Sequence, residues 1–244
     1  MPRAEYKRLL TEAYDLDKPE PPEAELERWL RYARAANGPV LEVMCGSGRF
    51  LVPLALVGID IDGIDASADM LAACAAKSAR HGITANVQQQ AVEQLDLPRR
   101  YALAFVAAGS FGLLIDEADY RAGLRRIHDH LLPDGRIVVD AETPEAAPRV
   151  NGLWTGRWWT RADGATLLER RVARYDAART VEEGLGIYEL YVDGTLVETE
   201  LDDWIRRFWK PQALRAELEL AGFTDVEVKV SETMLVGKGR RPSS

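Results

Sequence analysis

The sequence predicts a doubly wound α/β fold in which a mostly parallel, seven-stranded sheet carries an antiparallel β insertion after its fifth strand. Between Val40 and Asp140, short apolar segments alternate with amphipathic ones, which is typical of a parallel sheet covered by helices on both faces. From Trp154 to Trp209 the pattern changes to runs rich in Thr, Val, Tyr and Trp, separated by turn signals, as in antiparallel strands. Two more apolar runs near the C-terminus complete the sheet.

The bulk composition fits one globular domain with a sizeable insertion. The 244 residues are 47% hydrophobic and 29% charged, and a net charge of −8 disfavours nucleic acid as a partner. The N-terminus lacks the apolar core of a signal peptide, and no apolar run approaches the roughly 20 residues of a membrane span. Cys45 and Cys74 match neither a disulfide framework nor a metal site. We therefore expect a cytoplasmic protein with no metal, no membrane partner and no nucleic acid.

The elements of the first half follow from periodicity and from end signals. Two helices fill the first 36 residues and break at the segment KPEPPE, and NGP ends the second. Ser67 is a good N-cap for the helix that follows it. After the first two helices we expect strand 40–44, helix 49–57, strand 59–65, helix 68–80, a strand near 86–90 and strand 102–107.

The second half begins with an amphipathic helix over 117–132, a turn at LLPDG and an apolar fifth strand, RIVVD. ELYVDGTLVETEL predicts a hairpin, because Asp-Gly between alternating segments favours a tight primed turn. Helix 211–221 and the strands FTDVEVKV and TMLVGKG close the chain. We expect an N-terminal helical cap (1–38), a ligand-binding domain (39–144 and 210–244) and an antiparallel lid (145–209).

The glycine turn after the first strand predicts a nucleoside site. Gly46 and Gly48 lack a Cβ, so their backbone can approach a ligand closely, and a helix with free N–H groups follows. Ligands of doubly wound sheets bind beyond the carboxyl ends of the strands, where this turn lies. Asp65 ends the second strand at about the spacing that places an acid on a ribose diol.

A dinucleotide fits this turn poorly. The third glycine of G-x-G-x-x-G is absent, because Leu51 stands where it would be. Glu42, inside the strand before the turn, would repel a pyrophosphate but can organise the loop around a cationic ligand. A nicotinamide-dependent oxidoreductase is therefore disfavoured.

Five motifs together resemble the class I S-adenosylmethionine-dependent methyltransferases of small-molecule type, with an inserted antiparallel lid. They are LEVMCGSGR, GIDASADML, VAAGSFGLL, LLPDGRIVVD and ALRAELELAGFTDVEV. The resemblance implies a Rossmann-like sheet, S-adenosylmethionine as cofactor and a small-molecule methyl acceptor. It also implies a set of cofactor-binding residues: Tyr14, Glu42, Met44, Cys45, Gly46, Ser47, Gly48, Arg49, Asp65, Ala66, Met70, Gln90, Ala91, Val92 and Ala107.

Two positions depart from the family's motifs. Met44 stands where the first glycine usually is, which is tolerable if that position has β geometry. Ala91 stands where an aspartate often holds the adenine amine, a contact that Gln89 or Gln90 would have to replace. These departures keep open a non-catalytic module that only binds S-adenosylmethionine or S-adenosylhomocysteine.

The lid is expected to supply the acceptor site. Five of the six tryptophans fall in it, and an aromatic lid suits an apolar or ring-containing acceptor. We expect substrate contacts from Trp154, Trp158, Tyr188, Tyr191 and Arg207. The same aromatic face could instead be buried in a homodimer.

No residue is a persuasive general base in the sequence, and catalytic residues stay unassigned. His128 is expected to be half-buried on its helix and His130 to be solvated. A neutral amine needs no base for methyl transfer, whereas most oxygen acceptors do. The sequence thus favours an N-acceptor or an acidic O- or C-acceptor without deciding among them.

Overall fold

A computed structural model describes residues 6–243 of the chain. Two helices come first, α1 (Arg8–Asp17) and α2 (Glu23–Ala36), separated at the predicted KPEPPE break. Pro22 precedes α2, where its fixed φ suits entry into a helix, and Asn37 ends α2 in the left-handed region.

Eleven strands and four more helices follow in the described chain. The main sheet contains β1 (Val40–Val43), β2 (Ile61–Asp65), β3 (Asn86–Gln89), β4 (Tyr101–Val106), β5 (Leu131–Glu142), β10 (Thr224–Ser231) and β11 (Met234–Arg240). The helices around it are α3 (Leu51–Leu56), α4 (Ala68–Arg80), α5 (Glu117–His130) and α6 (Pro211–Leu220). The inserted sheet contains β6 (Thr155–Thr160), β7 (Thr166–Asp176), β8 (Val181–Val192) and β9 (Thr195–Arg207).

The main sheet is doubly wound, which confirms the predicted fold class. Its order is β10-β11-β5-β4-β1-β2-β3, with β11 antiparallel to both of its neighbours and the other contacts parallel. The chain runs from β1 to β2 and β3 on one side and then crosses to β4 on the other. The crevice beyond the carboxyl ends of β1 and β4 is therefore the switch point where ligands bind in such sheets.

Apolar cores cover both faces of the main sheet. On one face, α2 packs through Trp29, which is fully buried and stacks on Phe105 with ring centroids 4.4 Å apart. On the other face, α5 and α6 bury residues such as Leu124, Leu214 and Leu218 against the sheet. These cores fix the ends of β1, β2 and β4 relative to one another.

The lid sheet has the order β6-β7-β8-β9 and is wholly antiparallel. The predicted hairpin joins β8 to β9, with Asp193 and Gly194 at φ of 49° and 76°, as a type I′ turn requires. Leu167 and Leu190 lie on the inner face of the lid and pack against α1. The lid therefore faces the main domain across α1.

Two local predictions were wrong. LLPDG is not a separate turn: it lies within β5 as an irregularity in which Asp134 has a φ of 63°. His130 is not solvated but 4% exposed, because its Nε2 accepts the N–H of Leu97 at 3.0 Å while Nδ1 lies 2.7 Å from the carbonyl of Arg126. Among residues 6–243, no helix is long and apolar enough to cross a membrane.

Candidate functional site

A cavity of about 320 Å³ lies at the switch point, beside the glycine turn; we call it the turn cavity. Its walls come from the loops after β1, β2, β3 and β4, with α1 on top. Thirteen of the fifteen residues predicted to bind the cofactor line it: Tyr14, Glu42, Met44, Cys45, Gly46, Arg49, Asp65, Ala66, Met70, Gln90, Ala91, Val92 and Ala107. Ser47 and Gly48 do not.

Asp65 ties the end of β2 to the glycine turn. Its Oδ2 accepts the backbone N–H of Gly46 at 2.8 Å, and its Oδ1 accepts the N–H of Ser67 at 2.9 Å. Burial raises the pKa of the carboxyl, and these backbone hydrogen bonds partly offset the rise. Each carboxylate oxygen keeps a second lone pair, so Asp65 can still accept two hydroxyl groups.

The two glycines of the turn have different roles. Both have positive φ, 54° at Gly46 and 76° at Gly48. A Cβ on Gly46 would meet only Met70 Sδ, at 3.7 Å, whereas a Cβ on Gly48 would lie 2.5 Å from Cys74 Sγ and 2.9 Å from Val52 Cγ2. Gly46 faces the turn cavity, and Gly48 instead allows the turn to pack against α3 and α4.

Ser47 holds α1 in place. Its hydroxyl is buried and donates to Asp15 Oδ1 of α1 at 2.5 Å. Lys77 of α4 contacts the same carboxylate at 3.2 Å. The helix over the cavity is therefore anchored to the turn beneath it.

Glu42 is a buried carboxylate with an unused oxygen. It is 2% exposed, and its Oε2 has no hydrogen-bond partner in the described chain. Burial raises its pKa well above the ordinary value, although Arg49 and the N–H of Leu51 pull the pKa down. Arg49 pairs with Glu25 at 3.8 Å rather than closing on Glu42. The unpaired oxygen in the cavity wall suits a cationic ligand.

Met44 does not have the β geometry that would make it an easy replacement for glycine. Its φ is 60°, in the left-handed region that costs a side-chain-bearing residue about 1–2 kcal/mol. Ala108, after β4, has a φ of 55°. Two strained residues therefore line the turn cavity, after the neighbouring strands β1 and β4, as is common at ligand sites.

The adenine end differs from expectation. The Gln90 side chain is engaged with the backbone of Asp96, accepting its N–H at 2.8 Å and donating to its carbonyl at 3.1 Å. Gln89 donates to the carbonyl of Ala66. The Gln90 amide is thus engaged and Gln89 does not line the turn cavity, whereas Glu93 lines it close to position 91.

A larger cavity of about 1000 Å³ lies between α1, the end of β5 and the inner face of the lid; we call it the lid cavity. The two cavities share walls at Tyr6, Tyr14, Arg49, Ala108, Ser110 and Leu113. The rings of Tyr6 and Tyr14 meet edge to face, 6.4 Å between centroids. The site thus has two chambers that meet at a tyrosine pair.

Of the residues predicted to bind substrate, the structure places only Tyr188 in the lid cavity. Trp154 and Trp158 are 52% and 71% exposed, and Trp158 points to the outer face of the lid. The hydroxyl of Tyr191 is 3.5 Å from Glu189, and Arg207 donates to the carbonyl of Ile115 at 2.9 Å. These four are corrected: they lie outside both cavities.

Several lining residues were missed by the sequence reading. Tyr6 and Ser110 border both cavities, and Trp204 and Asp202 line the lid cavity. Residues two apart on a strand point to the same face, so alternation along β9 could have shown that Trp204 and Asp202 share one face of the lid. For Tyr6 the sequence gives no signal, because its place depends on how α1 folds over the turn.

Comparisons with known proteins agree with this geometry. The methyltransferase domain family matches residues 40–135. A curated relative from Streptomyces fradiae, a dTDP-3-amino-3,6-dideoxy-alpha-D-glucopyranose N,N-dimethyltransferase, is 30% identical over 189 residues, which are 75% of this chain and 64% of the relative. A protein of Geobacillus sp. (strain WCH70) is 29% identical over 113 residues, 46% of each chain. The matches span about half to two thirds of the length of these relatives.

Solved structures show the same fold at lower identity. The CcbJ methyltransferase from Streptomyces caelestis superposes with a TM-score of 0.75 at 23% identity, covering 99% of this chain and 100% of that one. The sugar N-methyltransferase KedS8 from Streptoalloteichus sp. ATCC 53650 gives 0.71 at 21% identity, with 90% and 87% covered. Residues 40–135 therefore match the methyltransferase domain family, and the chain as a whole has the fold of these solved methyltransferases.

Proposed function

We propose that this protein transfers a methyl group from S-adenosylmethionine to the amine nitrogen of a small polar molecule. The observation that carries the proposal is the pair of joined cavities, of which the second is lined by an excess of carboxylates. The turn cavity has the size and walls for a nucleoside-containing cofactor, and the lid cavity leaves room for an acceptor beside it.

The charge of the lid cavity favours a cationic or neutral acceptor. Eight carboxylates line it against six basic side chains, an excess of two negative charges. The carboxylates are Asp17, Glu20, Glu25, Asp140, Glu142, Glu169, Asp202 and Glu232. An ammonium group gains from this field, whereas an anionic acceptor is repelled.

The basic side chains of the lid cavity are all engaged with carboxylates. Arg28 donates two hydrogen bonds, of 2.7 and 2.6 Å, to Asp140, and Arg206 contacts Glu142 at 2.6 Å. Arg157 pairs with Asp17 and Glu169, both at 2.6 Å. The nearest carboxylates of the other three basic side chains lie at 3.8 to 4.0 Å; these side chains are Lys18, Arg49 and Arg171. Three of these six described side chains, Arg28, Arg157 and Arg206, are thus held by carboxylates at hydrogen-bond distance, and we propose an acceptor that does not carry a nucleotide diphosphate.

The residues of the turn cavity fit the implied cofactor. Asp65 can accept the two ribose hydroxyls, and the unpartnered oxygen of Glu42 can receive a cationic group of the methionine part. Bound there, S-adenosylmethionine supplies a methyl group already activated by its sulfonium charge.

The protein then contributes by positioning the acceptor and by excluding water. Tyr6 and Tyr14 close the boundary between the chambers, and α1 is held down by Ser47 from below and by the lid from above. An acceptor in the lid cavity is thereby held beside the methyl group, which converts an encounter into an oriented contact.

The test is transfer of labelled methyl groups to a matched panel of acceptors. We expect incorporation into free amino sugars and related amines, and little into phenols, carboxylic acids or the dTDP-linked form of the same amino sugar. Binding of S-adenosylhomocysteine without transfer to any amine would instead support the non-catalytic module, for which the strained Met44 and the missing acid at Ala91 argue. Preferred transfer to oxygen would overturn the amine assignment.

We also propose that the outer face of the lid is covered by a second copy of the chain. Trp158 and Leu201 are 71% and 55% exposed on this face, which also carries Leu168, Leu185 and Ile187. Apolar surface of this kind on a flat sheet marks an interface. Light scattering should give a dimer that Trp158→Glu converts to monomer; a monomeric wild type would refute the proposal.

A further inference from the structure

We propose that Asp202 of the lid is the catalytic residue that receives the acceptor's ammonium group and accepts its proton. This inference rests on the proposed amine methylation and names the group that readies the nitrogen for it. The sequence assigned no base, and Asp202 was not among the predicted site residues.

Asp202 is a buried carboxylate without a partner. It lies on β9, on the inner face of the lid, and is 8% exposed. Among residues 6–243, no donor or cation lies within hydrogen-bond or ion-pair distance of its oxygens. Asp202 lines the lid cavity, so the cavity is what its oxygens face.

The other acids on the inner face of the lid are already engaged. Glu169 holds Arg157 and accepts the hydroxyl of Tyr188 at 3.2 Å. Glu200 accepts the N–H groups of Leu9 and Leu10, which are otherwise orphaned at the start of α1. Glu182 pairs with Arg206, and Glu198 with Arg8. Asp202 alone among these five described acids is left for a ligand.

Asp202 is also placed where methyl transfer would occur. Tyr6 borders both cavities, whereas Asp202 lines only the lid cavity and Asp65 only the turn cavity. Burial raises the pKa of the Tyr6 phenol, and Tyr14 and both carboxylates add to the rise. The two acids thus bracket the boundary between the chambers. An amine held by Asp202 lies on the acceptor side of that boundary.

The surroundings of Asp202 give it the basicity of a general base. Burial, together with Glu200 and Asp203 on β9, raises the pKa of Asp202 to about 6, while Lys7 before α1 and Arg171 on β7 lower it. The phenols of Tyr6 and of Tyr188 on β8 face it uncharged, because burial raises their pKa values. At neutral pH the carboxylate is therefore ionised and still a useful proton acceptor.

The step balances in atoms and electrons. The proton passes from the ammonium nitrogen to an oxygen of Asp202, which leaves a neutral amine with a free electron pair. That pair forms the new nitrogen–carbon bond as the carbon–sulfur bond breaks and its electrons pass to sulfur. The products are a methylated ammonium ion, a neutral thioether and protonated Asp202, which returns its proton to solvent.

The experiment compares Asp202→Asn with Asp203→Asn across pH, using the best amine from the acceptor panel. The Asp203→Asn substitution removes the same charge one residue away, on the exposed outer face of the lid. It is therefore the matched control. We expect Asp202→Asn to lower kcat/KM at neutral pH by about 100- to 10,000-fold. The control should stay within about twofold of wild type at neutral pH, and its apparent pKa should fall slightly below that of wild type, because Asp203 contributes to the raised pKa of Asp202.

The shape of the pH profile separates a proton acceptor from a structural residue. In wild type, kcat/KM should rise through an apparent pKa of about 6, as Asp202 ionises, and fall above the pKa of the amine. In Asp202→Asn the rate should instead keep rising up to the pKa of the amine, because the neutral amine must come from solvent. Asp202→Glu should recover part of the rate.

Binding of S-adenosylhomocysteine and the melting temperature are measured for each variant to show that it folds. Equal rates for Asp202→Asn and wild type, or a loss that is the same at every pH, would overturn the role of Asp202. If Asp202→Asn does not fold, a wild-type profile without the rise near 6 overturns it equally. A wild type that methylates no amine refutes the proposed function itself, which is a distinct outcome.

Discussion

Gly48→Ala should destabilise the fold rather than weaken cofactor binding directly. The substitution adds a Cβ at a φ of 76°, which costs about 1–2 kcal/mol in the left-handed region. The same Cβ would lie 2.5 Å from Cys74 Sγ and 2.9 Å from Val52 Cγ2. Overpacking of this kind adds about 1–3 kcal/mol. We therefore expect a total loss of about 2–5 kcal/mol in the free energy of unfolding.

The assay is thermal and urea unfolding of Gly48→Ala, Cys74→Ala and the double variant. A loss of about 2–5 kcal/mol corresponds to a melting temperature lower by roughly 5–20 °C for a chain of this length. Because Cys74→Ala removes the sulfur atom that the new methyl group meets, the double variant should be more stable than the sum of the single effects predicts. We expect a coupling of about 1 kcal/mol or more.

Gly46→Ala is the matched control, since its Cβ would meet only Met70 Sδ at 3.7 Å on the cavity side. Its free energy of unfolding should fall only by the backbone strain of about 1–2 kcal/mol. It should lower the affinity for S-adenosylhomocysteine more than Gly48→Ala does. The packing argument fails if Gly48→Ala melts with wild type, or if removing the Cys74 sulfur gives no relief.

Three further predictions concern buried acids. Asp65→Asn should weaken S-adenosylhomocysteine binding by about 1–3 kcal/mol in calorimetry, because it removes a charged acceptor of ribose hydroxyls; an unchanged Kd would remove the ribose assignment. Burial holds the pKa of Glu42 well above its usual 4.5. Protonation of Glu42 therefore contributes its full share to the free energy of unfolding below pH 4.5, and this share is lost as the pH rises toward the raised pKa. Glu42→Gln should accordingly flatten the decline in melting temperature as the pH rises above 4.5, and parallel curves for variant and wild type would contradict this. Arg28→Ala should cost about 3–5 kcal/mol in urea unfolding, because Asp140, 1% exposed, is left unpaired, and a loss below about 1 kcal/mol would show that the pair contributes little.

What the sequence predicted well depends on local chemistry. Ser67 caps α4 by accepting the N–H of Met70 at 3.1 Å, and this contact needs nothing beyond residues three apart. The Asp193–Gly194 turn fixes its hairpin for the same reason. Asp65 was placed by strand length and spacing alone, and the turn cavity forms around it. Most of the lining of the turn cavity was therefore predictable.

What the sequence did not predict depends on the packing of distant segments. Trp158 and Trp159 are adjacent, yet only Trp159 packs inward against α1, because neighbouring residues of a strand point to opposite faces. A shift of one residue in the start of β6 would exchange them, and the sequence does not fix that register. The burial of His130 depends on the backbone of Leu97, which is distant in the sequence.

The position of α1 sets a condition on how the site exchanges its contents. The helix lies across both chambers and is tied to the lid by ion pairs of Arg157 with Asp17 at 2.6 Å and of Arg161 with Glu12 at 3.2 Å. Any outward movement of α1 that opens the turn cavity above Tyr14 requires these ion pairs to separate. Added salt screens such charges within a distance of about 10 Å or less. Turnover limited by this opening would then quicken with ionic strength.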